Sequence, residues 1–157
     1  MRSTFAFRLP TSPFTAGTTF RLTTARVMII DQSVDHKGIL TNAAFVLGLT
    51  AGREVPLDTF GGDVFDGENQ QHKYLTKIGH FIRKAGQSKL RTLRQTFSEN
   101  PNVILVDYTE DASPADYSQY SSSLADKKGE AIQYRAMYVY GPEAVVVPLT
   151  KNLSRLE

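Results

Sequence analysis

The sequence predicts an α/β fold, a three-layer α/β/α sandwich around a mixed sheet of about four strands. Short runs rich in β-branched residues alternate with longer segments whose apolar residues recur at helical spacing. Loops rich in Gly and Pro separate these segments. At 157 residues, 41% hydrophobic and 22% charged, the chain has the size and composition of one ordinary globular domain.

The first predicted strand and helix form the centre of this fold. Val27–Ile30 is a continuous apolar run, typical of a strand buried on both faces. A polar turn leads into Leu40–Ala51, where apolar residues occupy almost every face of a helix. Such a pattern predicts a helix that is buried on all sides. Gly52 then predicts its end.

The remaining elements follow from local signals. The loop-like residues 53–72 lead to a strand in "IGHFIR", a helix capped by Ser88, a buried strand in "VILVDY" and a helix beginning at Ser113-Pro114. The stretch "RAMYVYGPEAVVVPLT" predicts two strands around Gly141-Pro142. The second would lie at a sheet edge or end at Pro148, since proline has no amide hydrogen to donate.

The first 25 residues differ from the rest of the chain. They carry three arginines, no acid and many hydroxyl side chains, a pattern shared by loose extensions and organellar transit peptides. We favour a loose extension, which makes residues 26–157 the single domain. No apolar run reaches the ~20 residues that cross a bilayer, and we expect a cytoplasmic protein. Without cysteine, disulfides and thiolate chemistry are excluded.

Two blocks of sequence carry a family resemblance. "VMIIDQSVDHKGILTNAAFVLGL" and "YVYGPEAVVVPLTKNLSRL" resemble the first and last motifs of the type II peptidyl-tRNA hydrolase fold. The match is closer to a bacterial family of unknown function with that fold, through Gly38 followed by Asn42-Ala43-Ala44 and through Asp66-Gly67 followed by His72. Tyr117 and Tyr120 in the late helix are also similar. The resemblance implies a mixed four-stranded sheet between helices and a homodimer.

The same resemblance argues against the chemistry of the hydrolases. In those enzymes a Lys follows the Gly of the first motif, and an Asp and a Thr precede the final Gly-Pro. Ile39 and Ala136 occupy the Lys and Thr positions here, and Asp126 is the nearest acid. Because a fold does not carry a function by itself, the resemblance predicts the scaffold without this catalytic set.

The preferred functional hypothesis is a binding or regulatory module for a small anionic or nucleotide-like ligand. The start of the first helix can attract an anion through its free amides and dipole. The ligand site would be formed by Lys37, Gly38, Asn42, Asp66 and His72. The alternatives are a buried helix with Lys37 in solvent, or an ester or amide hydrolase. In the hydrolase, Asp66 or His72 would activate water and Lys37 would stabilise the oxyanion. A third hypothesis is a structural dimer that associates through its last strand.

Two charged segments have competing interpretations. Residues 69–98 contain no acid and include Arg91 and Arg94. They form either an RNA-binding surface or, as we favour, a solvated helix face. The acids of the 63–72 loop, with His72, either hold a metal or stabilise a turn. We favour the turn, and we predict no metal and no cofactor.

Overall fold

The computed structural model describes residues 24–156, except 35, 36, 74, 78, 80 and 113–115. In these residues the helices are α1 (Lys37–Glu54), α2 (Gln87–Ser98), α3 (Tyr117–Ala125) and α4 (Glu143–Thr150). The strands are β1 (Thr24–Asp31), β2 (Val64–Phe65), β3 (Gln71–His72), β4 (Phe81–Ala85), β5 (Ile104–Thr109), β6 (Tyr134–Pro142) and β7 (Ser154–Arg155). Single 3₁₀ turns at Leu57–Thr59, Glu110–Ala112 and Gly129–Ala131 complete the chain path.

The main sheet is mixed, as predicted, and its strand order is β5-β6-β1-β4-β7. β1 is parallel to β4 and antiparallel to β6, while β5 and β7 run antiparallel to their single neighbours. The sheet has five strands because Ser154 and Arg155 add a short edge strand to β4. β2 and β3 form a separate hairpin in the segment that was predicted to be a loop.

Helices cover both faces of this sheet. On one face α2 and α4 pack against β1 and β6, with Leu93, Phe97 and Val146 buried against Ile29 and Val139. On the other face α1 packs against β5 and β6. Successive side chains of a strand point to opposite faces. Val27 and Ile29 of β1 therefore pack in the core beside α2 and α4, while Met28 and Ile30 pack in the core beside α1. The predicted three layers are therefore present.

The prediction that Leu40–Ala51 is buried on all sides is wrong. Ala43, Leu47 and Ala51, spaced four residues apart, are buried against the sheet. Phe45 is 65% exposed and Leu49 is 63% exposed, because they lie on the outer side of α1. Within the described residues this side carries no further layer. The apolar pattern indicated a covered helix, but the chain covers only one of its faces.

The prediction of a strand after Gly141-Pro142 is also wrong, because Glu143–Thr150 is helical. A hairpin partner would have to lie beside β6, and both sides of β6 are already occupied by β1 and β5. The helix instead buries Val146 and Thr150, and the Thr150 hydroxyl donates to the Val146 carbonyl oxygen at 2.8 Å. The last strand of the structural-dimer hypothesis is therefore an α-helix.

Smaller differences concern where elements begin. β1 starts at Thr24, inside the segment that was assigned to the extension. Gly86, not Ser88, is the N-cap residue of α2. Asp116 caps α3 by accepting a hydrogen bond from the Gln119 amide. The predicted cap at Ser113-Pro114 and residues 1–23 lie outside the described residues.

Candidate anion-binding site

A cavity of about 480 Å³ lies at the carboxyl ends of the parallel strands β1 and β4, beside the start of α1. Lys37, the first residue of α1, and Lys84 of β4 both line it. Apolar walls come from Ile30, Leu40 and Leu156. In open α/β sheets the usual ligand site is the crevice outside the carboxyl ends of two neighbouring strands whose following helices lie on opposite faces of the sheet. β1 and β4 are such a pair, since α1 follows β1 on one face and α2 follows β4 on the other.

The floor of this cavity contains a buried carboxylate, Asp31, at the end of β1. Its Oδ1 accepts from the Ser33 amide at 3.1 Å. Its Oδ2 accepts from the Ser33 hydroxyl at 2.8 Å, from Gln87 Nε2 at 2.9 Å and from Arg135 Nη1 at 3.4 Å. The carboxylate thus joins β1 to α2 and β6, which makes it a structural group.

Arg135 and Gln87 hold this carboxylate from two directions. Arg135 also donates to Glu110 Oε1 at 2.9 Å, so its guanidinium bridges two acids. The Gln87 amide is fixed by the backbone of Tyr134, donating to its carbonyl oxygen at 2.6 Å and accepting from its N–H at 3.1 Å. The negative charge of Asp31 is therefore met by these partners and not by the two lysines.

The other residues predicted near Lys37 have distinct roles. Gly38 is exposed in the first turn of α1. Asn42 Nδ2 donates to the Tyr108 hydroxyl at 2.9 Å, which fastens α1 to β5. Asp35 and His36 lie outside the described residues.

The structure brings Asp66 and His72 together in the β2–β3 hairpin. His72 Nε2 lies 3.2 Å from Asp66 Oδ2. The other oxygen of Asp66 accepts from the amides of Glu68 at 2.9 Å and Gln70 at 2.8 Å. The Gln70 amide, followed by His72, lowers the pKa of the Asp66 carboxyl below its ordinary value. Asp66 is thus the carboxylate that stabilises the turn.

His72 lines a different cavity from Lys37. This second cavity, of about 530 Å³, includes Gly61 and Gly62 and the lysines at 73 and 77. Lys73 forms an ion pair with Asp63 at 2.9 Å across the hairpin. The predicted site is therefore divided: Lys37 lines one cavity, together with Lys84, and His72, in contact with Asp66, lines another.

Arg91 and Arg94 belong to neither group. They lie on α2, which packs on the sheet face opposite α1. Arg94 Nε donates to Asp107 Oδ2 at 2.9 Å, and this bond raises the pKa of the arginine. The charge of Arg94 is therefore balanced in part by the protein, and RNA binding through these residues remains a prediction.

Neither a metal-binding cluster nor a membrane-spanning helix is found among the described residues. No three acidic or histidine side chains among them converge to hold a metal ion. Likewise, none of the described helices has the length and apolarity needed to span a bilayer.

No local pattern in the sequence indicates the Asp31 network. Its members, Asp31, Gln87 and Arg135, are far apart in the chain and meet only in the folded sheet. One general signal was present, because a polar residue directly after a buried strand of a parallel pair marks the ligand-binding edge. The place of Lys84 in the cavity with Lys37 depends on the pairing of Ile30 with Lys84, which only the folded sheet shows.

Comparisons with known proteins identify a family whose function is unknown. No curated protein matches the sequence. A solved structure, the protein of unknown function Atu0240 from Agrobacterium tumefaciens strain C58, is similar with a TM-score of 0.73 and 15% identity. The similarity covers 85% of this chain and 98% of the other, and at that identity it shows the fold alone. A family model described as protein of unknown function (DUF2000) matches residues 24–156, and the chain therefore belongs to this family.

Proposed function

We propose that this protein is a binding or regulatory module that holds a small anionic ligand in the cavity between β1, β4 and the start of α1. The ligand would carry a carboxylate group or, like a nucleotide, a phosphate group. The observation that supports this most directly is the convergence of Lys37 and Lys84, from two separate elements, on one cavity.

The electrostatics of the cavity favour a negative ligand. Neither lysine forms an ion pair within the part of the chain that the structure describes. Asp31, the acid in the cavity, is already bonded to Arg135 and Gln87. Lys37 also stands at the positive end of the α1 dipole, which attracts anions. The net effect is a site with two available ammonium groups.

The size of the cavity fits a small molecule. Pockets for such ligands commonly measure about 300–1,000 Å³, and this one has about 480 Å³. Ile30, Leu40 and Leu156 offer apolar contact to the body of a ligand whose charged group meets the lysines. A metabolite-sized anion therefore suits the cavity better than a bare inorganic ion.

We further infer that the scaffold is of the type II peptidyl-tRNA hydrolase kind without its catalytic set. In support, the first strand lies between one parallel and one antiparallel neighbour, with helices on both faces. Ala136 is fully buried in β6 and carries no hydroxyl. Ile39, in the first helical turn, offers no charge. Binding without hydrolysis of peptidyl-tRNA is the function that fits these residues.

Titration calorimetry of lysine variants tests this proposal. The ligands are inorganic phosphate and a nucleoside monophosphate, and the proteins are the unmodified chain, Lys37→Ala, Lys84→Ala and Lys89→Ala. Hydrogen bonds to charged groups contribute roughly 1.5–3 kcal/mol, so each cavity variant should weaken binding at least about tenfold. Lys89, exposed on α2, is the matched control and should bind like the unmodified chain. Equal affinities for all four proteins, or no binding at all, would refute the proposal.

One observation supports the alternative of an ester or amide hydrolase. The His72–Asp66 contact orients an imidazole beside the second cavity, where Lys77 could stabilise an oxyanion. Turnover of a p-nitrophenyl ester that disappears in His72→Ala, with an unchanged melting temperature, would establish it. The absence of turnover across esters and peptidyl-tRNA would leave the binding function alone.

A further inference from the structure

An aromatic groove, separate from the anion site, lies between α1, β5 and α3. It is a cavity of about 440 Å³. Three tyrosines line it: Tyr108 of β5 with Tyr117 and Tyr120 of α3. Val46 of α1 and Val106 of β5 add apolar walls. None of the described residues that line this groove also lines the cavity of the anion site, so a ligand here would occupy a second place on the protein.

Two of the tyrosine rings form a corner of the groove. The ring centroids of Tyr117 and Tyr120 lie 6.3 Å apart, and the ring planes are inclined by 62°. Tyr117 is 83% exposed, so its ring is open to solvent. Tyr108 is buried, and its hydroxyl accepts a hydrogen bond from Asn42 Nδ2 at 2.9 Å, which fixes the third ring. Proteins bind quaternary ammonium groups with several aromatic rings arranged around one space.

The charge around this groove is negative. Residues 104–126, which provide its β5 and α3 walls, contain five acids and no Lys or Arg. Residues 38–52, which include its α1 wall, contain no charged side chain. Three of the five acids are paired with bases outside that segment: Asp107 with Arg94, Asp111 with Lys127, and Glu110 with Arg135. The other two, Asp116 and Asp126, have no ion pair within the part of the chain that the structure describes, so a net negative charge remains.

Two of the acids act on the aromatic wall itself. Asp107 lines the groove, and Asp111 precedes Ala112, another of its lining residues. The Asp111 side chain is only 4% exposed, and its buried Oδ2 accepts no hydrogen bond from the described residues. Burial raises the pKa of the Tyr120 hydroxyl, and the charges of Asp107 and Asp111 raise it further. Negative potential from both carboxylates therefore reaches the groove.

We propose that this groove binds a small molecule that carries a quaternary ammonium group. The N-methyl groups would pack on the rings of Tyr117 and Tyr120 and on the neighbouring valines. The positive charge would meet the faces of the rings and the field of the acids. Such a group is apolar at its surface and charged at its centre, which matches an apolar, aromatic groove within a negative segment.

Other cations fit this groove less well. An ammonium group with free N–H bonds is strongly hydrated and requires hydrogen-bond acceptors in exchange for its water. Asp107, the acid that lines the groove, already accepts from Arg94 Nε at 2.9 Å. Thr50 Oγ1, on the α1 wall, donates to the Val46 carbonyl oxygen at 3.0 Å. For a metal ion, no three acidic or histidine side chains converge within the described ranges. A methylated cation needs neither arrangement.

NMR titration of the full chain with choline and with 3,3-dimethylbutan-1-ol tests the recognition of charge. The two molecules have the same shape, but the alcohol has carbon in place of nitrogen and is neutral. At constant chloride concentration we expect choline to bind, with its N-methyl signal moved upfield by the tyrosine rings. The alcohol should bind at least about tenfold more weakly. Equal affinities for the two molecules, or binding of neither, would overturn the proposal.

Ring variants test the location of this site. Tyr117→Leu keeps an apolar side chain but removes the ring, and it should weaken choline binding about 3- to 30-fold. Tyr117→Phe keeps the ring and should bind choline like the unmodified chain. Neither change should lower the melting temperature, since Tyr117 is largely exposed. Phe65→Leu is the matched control, because Phe65 is 61% exposed in the β2–β3 hairpin, and it should leave binding unchanged. Unweakened binding by Tyr117→Leu, or binding lost in Tyr117→Phe or in the control, would contradict the assigned site.

Discussion

Replacing Asp31 by Asn separates its structural role from ligand binding. The Asn side chain has the same shape but offers an NH₂ group where one carboxylate oxygen was. If its oxygen keeps the Ser33 amide, the new NH₂ faces two donors, Gln87 Nε2 and Arg135 Nη1. Gln87 cannot turn its amide to adapt, because both ends are bonded to the Tyr134 backbone. The substitution therefore leaves donors facing each other in a buried place.

The size of the effect follows from these contacts. A buried donor without an acceptor costs about 1–3 kcal/mol, and a bond to a charged group contributes a similar amount. The Arg135 contact is long at 3.4 Å, and Arg135 retains Glu110, so its loss adds little. We expect Asp31→Asn to lower the free energy of unfolding by about 2–3 kcal/mol. For a domain of this size that lowers the melting temperature by about 4–12 °C.

Urea unfolding followed by circular dichroism measures this change. Asp116→Asn is the control, since Asp116 caps α3 through the Gln119 amide, and Asn caps a helix as well as Asp does. The control should change the free energy of unfolding by less than about 0.5 kcal/mol. Asp31→Asn should still bind phosphate, at least as tightly as the unmodified chain, because a negative charge has left the cavity. Wild-type stability in Asp31→Asn, or loss of phosphate binding by the folded variant, would refute this reasoning.

Two further predictions concern stability. Gly141→Ala should destabilise the protein by about 1–3 kcal/mol in urea, because its Cβ would lie 2.9 Å from Val103 Cγ2; a neutral effect would show that Val103 can move away. The pKa of Asp66 is lowered by the Gln70 amide and then by His72. The ionised Asp66 carboxylate therefore stabilises the folded protein fully at a pH above the pKa of the unfolded chain. This stabilisation is lost as the pH falls through the lower pKa of the folded protein. The stability advantage of the unmodified chain over Asp66→Asn should therefore shrink on acidification below about pH 4, and a difference that stays constant to pH 2 would contradict this.

The layered fold was predictable because its signals are local. The runs that became β1 and β5 are apolar and β-branched, and the helical spacing of Leu90, Leu93 and Phe97 matches the buried face of α2. The segment after Gly141-Pro142 was not predictable in this way, since three consecutive valines favour a strand. Only the occupation of both sides of β6 excludes a strand there. That information lies in the tertiary structure.

The candidate site was predicted in part for the same reason. Lys37 and Gly38 follow the first strand directly, so their place at its carboxyl end could be inferred. Asp66 and His72 are close in the sequence, and a tight hairpin brings their side chains into contact. Joining that pair to Lys37 in one site was an assumption about the fold, and His72 lines a different cavity from Lys37. Lys84 and Asp31 entered the site through strand pairing, which the sequence does not display.

A crystal soaked in selenate, an oxoanion with a strong anomalous signal, tests the proposed anion site most directly. We expect an anomalous peak within hydrogen-bonding distance of both Lys37 Nζ and Lys84 Nζ, and no such peak in crystals of Lys84→Ala. Selenate bound elsewhere on the protein while this cavity holds only water would contradict the proposed function.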